Sequence, residues 1–162
     1  MVRFQSIMGV PMFEAVRTGA TALLGVFAGG LVFTALAPSL RSLPGPDYVR
    51  YWQGLNADYG RAMPVLLLSC LALLVATCVM AYSRGGPGFW LSAGAVVLVV
   101  AVIVLTVTRL DALNRLADSW NPDLLPADWA RARAEWWNLH FARTAMATAG
   151  FFLLLLAPAL QD

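Results

Sequence analysis

A chain of 162 residues that is 60% hydrophobic and only 12% charged falls outside the composition of soluble enzymes and disordered segments, and within that of membrane proteins. Its basic residues are eleven arginines and no lysine against nine acids. The net charge of +2 gives no basis for a nucleic-acid partner or a polybasic lipid patch.

Arg3 and Arg17, an apolar run and the tripeptide Ala35-Leu36-Ala37 together imitate a signal peptide. Pro38 directly after the tripeptide would hinder cleavage, so the run reads as a retained first span. Residues 1–18, with Phe4, Ile7, Met8, Met12 and Phe13, suit a short helix or arm in the membrane interface. Residues 19–37 carry no charge and are long enough to cross. Gly25 and Gly29 form a GxxxG pair there, which predicts close packing against a neighbouring helix, the other reading being room for a flat ligand beside the backbone, and a homo-oligomer stays open as a partner.

The first long loop, residues 39–61, contains Tyr48, Trp52, Leu55 and Tyr59 at helical spacing after Pro46 and Asp47. It predicts a short amphipathic helix over the end of a bundle. The second span covers 62–82 and includes Cys70 and Cys78, which a helix would hold roughly 12 Å apart, beyond disulfide reach. The SRGGPG sequence at 83–88 is a tight turn. The third span, 88–108, is valine-rich, but lipid forces such a run to be helical because every backbone group must be bonded internally. Alternating charges and leucines carry that helix on to about Trp120, with Asp111 and Arg115 spaced as an i, i+4 pair.

Asn121-Pro122 breaks the helix, and Leu125-Pro126 opens the last one, with Asp128 near its positive end. That helix runs through the fourth span, 141–158. Its thirty or so residues make ~45 Å against a ~30 Å hydrocarbon core, so two or three turns must protrude. The predicted fold is an all-α integral membrane protein of one domain: a four-helix up-down bundle with long third and fourth helices and a short amphipathic helix in the first loop. Eight arginines fall at the end holding the two long loops and three at the other. The positive-inside rule then places the long loops in the cytoplasm, and the expected location is a bacterial inner membrane.

Trp129, Arg133, Trp136, His140 and Arg143 share an arc of roughly 80° on the protruding part of the last helix. His140 is the chain's one histidine, and its ordinary pKa suits a general base or acid. Arg143, one turn on, cannot lose its proton and could stabilise an anion formed beside it. Asn114 on the preceding helix could add a neutral donor and acceptor. Trp136, Trp129 and Trp52 offer flat walls for an aromatic ligand. Equally, Trp, Tyr, His and Arg at the edge of a span are what interfacial anchoring requires.

Two separated cysteines and one histidine make no zinc or di-iron ligand cluster, so no metal is expected, although one histidine suffices as a haem axial ligand. CxxCH, CxxC, GxSxG and glycine-rich phosphate loops are missing from the sequence, leaving thiol-exchange, phosphoryl and hydride chemistry without support. Three classes stay open. They are an enzyme that needs no cofactor, a haem- or quinone-binding redox protein with His140 as ligand, and a non-enzymatic membrane subunit or scaffold.

The segments ALNRLADSW at 112–120 and LPADWARARAEWWNLHFART at 125–144 resemble the anthrone oxygenase-like family of small four-span membrane proteins. That family pairs a proline, an aliphatic residue and an asparagine at the end of the third span, matched here by Ala112, Leu113 and Asn114, with Ala112 departing from the proline. A tryptophan, a histidine four residues on and an arginine three further match Trp136, His140 and Arg143. The resemblance implies a monooxygenase that uses neither metal nor flavin. It would convert an anthrone- or quinone-like flat aromatic with dioxygen, His140 taking a proton and Arg143 holding the enolate-like anion.

Overall fold

The computed structural model describes residues 2–160 of the backbone and side chains from 11 to 159. Almost every described residue is helical, and the described residues form no strand, only an isolated bridge between Asn121 and Leu124. Four helices are long and apolar enough to cross a membrane. The all-α four-span architecture expected from composition is the architecture of the chain.

Helix α1 runs Val2–Ala35, so the residues expected to lie as a separate arm continue the first span without a break. A short helix α2, Pro38–Arg41, follows. The amphipathic segment of the first loop is helical, but it too is joined to its neighbour: α3 runs from Gly45 to Tyr82 as one 38-residue rod. Pro64 lies inside it, where the polar opening meets the apolar run, and the helix passes through. Lipid-embedded helices tolerate such a proline because the alternative exposes still more backbone to hydrocarbon. The turn into α4, Gly86–Leu105, holds Gly85 and Gly86 at φ of 67° and 76°, a region that disfavours any residue with a Cβ.

Between α4 and α5, Asp111–Asp118, the chain makes a π-turn over Thr106–Leu110. Its effect is a change of face. Gly88, Ser92, Ala95, Val99 and Val102 share the buried side of α4. Continued as ideal α-helix, Asn114 would fall ~120° from Val102, whereas the extra residue taken up by a π-turn brings it to ~20°. Leu110 and Ala117, both buried, return to that side with it. Asp111 pairs with Arg115 at 2.7 Å, as their spacing predicted.

The last helix, α6, runs Trp129–Leu156 and ends in a 3₁₀ turn at Ala157–Leu160. It starts three residues later than Pro126 suggested. The Pro126 carbonyl accepts the Trp129 N–H in a turn, and Asp128 occupies the N-cap position, its carboxylate bonded to Arg131 at 2.9 Å instead of capping the helix.

Two separate cores hold the helices. Within the spans Ala20, Leu24, Phe27, Leu74, Ala95, Val99, Ala147 and Leu154 form an aliphatic core. At the end with the long loops, Tyr48, Trp52, Leu110, Ala117, Trp136 and Trp137 form an aromatic one. The GxxxG expectation holds for one glycine. A Cβ at Gly25 would sit 3.0 Å from the Phe151 ring of α6, whereas Gly29 meets nothing within 4 Å. Cys70 and Cys78 are both free.

Candidate functional site

Because α6 is one unbroken helix from Trp129 to Leu156, it carries one stripe from the aromatic cap into the bundle. His140 lies on that stripe and is 1% exposed. Its Nε2 lies 3.2 Å from the Leu31 carbonyl oxygen of α1, and its Nδ1 lies 3.0 Å from Nη2 of Arg143. A guanidinium only donates, so Nδ1 is the acceptor. The proton must then be on Nε2, directed at Leu31. His140 is therefore a neutral imidazole whose lone pair is held by a cation. Arg143 makes no ion pair among the described residues, and its Nε is buried with no hydrogen-bond partner.

Trp136 stacks on the imidazole, ring centroids 5.0 Å apart and planes 6° apart, while Trp137 meets it edge-on at 5.6 Å. Above them Asn114 acts as a common acceptor. Its Oδ1 receives the indole N–H of Trp52 at 2.9 Å and that of Trp136 at 3.0 Å. A carbonyl oxygen has two lone pairs, so one amide satisfies two buried indoles from two helices. No side-chain hydrogen bond between Asn114 and His140 appears among the described residues. Asn114 fixes Trp136, and Trp136 faces the imidazole.

Polar side chains of α3 lock this arrangement. Gln53 donates to the carbonyls of Ala117 and Trp120, which close α5, at 2.8 and 3.0 Å, and Asn56 donates to Asp118 at 2.9 Å. Arg133, from the opening stripe, serves the cap. It donates to the carbonyls of Leu43, at 3.1 Å, and Arg41, and lies over the rings of Tyr48 and Trp129. Arg41 in turn lies over Trp137 and Phe141, beside a groove of about 230 Å³ that Arg133 and Asn138 also line.

Of the residues singled out from sequence, His140 touches both Trp136 and Arg143, Asn114 and Trp52 join Trp136 through the indole bonds, and Trp129 packs at the edge of the aromatic cap core against Gly45. Sequence reasoning missed Trp137 and Leu31. Trp137 is 100° round the helix from Trp136, outside the stripe, and is buried at 5% because the first loop folds over it. Leu31 contributes a carbonyl, which no side-chain pattern announces. Its one signal is its place near the end of a span whose antiparallel partner carries the histidine.

The sequence profile of the anthrone oxygenase family matches residues 52–153 of the chain, an interval that includes Trp52, Asn114, Trp136, His140 and Arg143. No curated protein and no solved structure matches it.

Proposed function

The chain belongs to the anthrone oxygenase family, and from that premise and the buried His140–Arg143 pair we propose that it is a membrane oxygenase. Its substrate is a flat aromatic carbon acid of the anthrone type, its co-substrate is dioxygen, and His140 and Arg143 act without metal or flavin. The observation that carries this reading is the guanidinium that donates to a neutral imidazole in a site His140 barely shares with solvent. A base whose lone pair is covered by a cation is poised for exchange. When Arg143 turns to an oxygen of the substrate, Nδ1 is released to accept a proton from the adjacent methylene, and the guanidinium faces the charge as it develops.

The chemistry balances on substrate and dioxygen alone. The methylene loses two hydrogens and gains one oxygen atom as a carbonyl, and the second oxygen atom leaves as water. The resulting enolate-like anion is electron-rich enough to reduce dioxygen directly. The protein supplies ionisation, a dry cleft and flat walls, for which Trp136 and Trp137 are the nearest candidates, with Trp52 behind them and Trp129 at the rim. By the arginine distribution this cap would face the cytoplasm of a bacterial cell.

The test is dioxygen uptake and quinone formation by the purified protein with an anthrone. Equal molar uptake and product are expected for the native chain. A loss of roughly 10²–10⁴-fold is expected for His140→Ala, with the same elution profile and yield. Native-like turnover in that variant would remove His140 from the base role.

A further inference from the structure

Two buried threonine hydroxyls among the described residues, those of Thr106 and Thr148, make no hydrogen bond, and Thr148 lies two turns beyond His140 on α6, deeper in the bundle. The hydroxyls of Thr21, Thr34, Thr77, Thr108 and Thr144 each bond the carbonyl four residues earlier, the usual way a threonine satisfies itself in an apolar helix. The Thr106 hydroxyl is buried and makes no such bond. Thr106 opens the π-turn, where the helix widens, and it follows Val99 and Val102 on the buried side of α4 by helical spacing.

The packing of α4 on α6 fixes what lies opposite. A Cβ at Gly150 would sit 3.6 Å from Leu98 Cβ and 3.7 Å from the Ala95 carbonyl oxygen, one at Gly94 would meet Leu153 at 3.1 Å, and Arg109 pairs with Glu135 at 2.7 Å. Arg143 lies two turns before Gly150 on the same face of α6. Two turns beyond Ala95 and Leu98 on antiparallel α4 stand Val102 and the start of the π-turn. The register therefore sets Thr106 at the level of His140 and Arg143. At that level the Thr106 hydroxyl and the Arg143 Nε–H are both buried without a partner, as is the Trp137 indole N–H about one turn nearer the cap.

We propose that Thr106 and the Arg143 Nε–H form a two-donor seat for one oxygen of the substrate, the phenolic or enolate oxygen that gains charge on proton loss. This rests on the aromatic-substrate reading above and adds a binding residue from a different helix. A buried donor without a partner costs free energy in the empty protein, which binding an oxyanion recovers. The π-turn then has two tasks: it returns Asn114 to the buried side, and it leaves a threonine hydroxyl unspent where the substrate oxygen arrives.

The test is binding of 1,8-dihydroxyanthraquinone to the purified full-length chain in detergent, followed by the visible absorption of its phenolate. Thr106→Val, which keeps the shape and removes the hydroxyl, is expected to weaken binding about tenfold. Thr106→Ser is expected to restore it, and Thr108→Val, whose hydroxyl is already bonded to Val104, to leave it unchanged. Native affinity in a Thr106→Val protein that elutes as the native chain does would overturn the seat, as would loss in both the Val and Ser variants. If the native chain binds no probe at all, the aromatic-substrate reading falls and the seat with it. If it binds and Thr106→Val binds equally, only the seat falls.

Discussion

The two cores of this molecule are built on opposite rules. The bundle core is aliphatic and small-residued, and the hydrogen bonds its polar side chains make stay within their own helix, as do those of Thr77 to Leu73 and of Ser92 to Gly88, both at 2.8 Å. The cap core is aromatic, and its polar groups bond between helices: Trp52 and Trp136 to Asn114, Gln53 to the end of α5, His140 to Leu31, Arg133 to the first loop. Self-contained bonds let helices pack on shape alone and tolerate small shifts. Bonds between helices fix distances and rotations, and here they hold the His140 imidazole against the Arg143 guanidinium. The lower half is thus a frame, and the upper half a fixed constellation.

Substitutions in the two halves should separate these roles. The largest effect on stability is expected at Asn114. Asn114→Leu leaves two buried indole N–H groups unpaired, at roughly 1–3 kcal/mol each, and frees Trp136 from its place over His140. Trp52→Phe removes one donor and part of a fully buried ring, so it should cost about 1 kcal/mol of hydrogen bonding beside the packing it loses. Denaturant titration in detergent of Asn114→Leu, Trp52→Phe and the combined variant tests the shared acceptor: costs that do not add are expected, and fully additive costs would contradict it.

The bundle half should respond to volume instead. Gly25→Val drives methyl groups into the Phe151 ring and is expected to cost about 1–3 kcal/mol, whereas Gly29→Val meets open space and should stay within about 0.5 kcal/mol. Neither change touches the cap, so residual turnover per folded molecule should remain native in both. A turnover defect in Gly29→Val would point to a partner helix on that face.

Much of the frame was legible in the sequence because lipid simplifies the problem. Apolar runs of span length have to be helices, and the Asp111–Arg115 pair and the SRGGPG turn behave as their spacing says. The boundaries were less legible. Helix continuity through Pro64, and from residue 2 into the first span, depends on tertiary support that a local proline or a polar stretch does not reveal. In the site, the Trp136–His140–Arg143 line could be read because it follows a single helical period. Asn114's role could not, since it depends on a π-turn that alters the period by one residue and on indoles from two other helices. Backbone acceptors such as Leu31 leave no trace in a side-chain pattern.

The central claim is that His140 and Arg143 work as one unit, the cation released by the base as the substrate oxygen takes it. A double-mutant cycle on anthrone turnover, with His140→Ala, Arg143→Gln and the combined variant, tests it most directly. Groups that act only together give losses that do not multiply, so the combined variant is expected to be no slower than the slower single variant. Losses that multiply across the cycle would contradict the coupling and leave two residues acting independently.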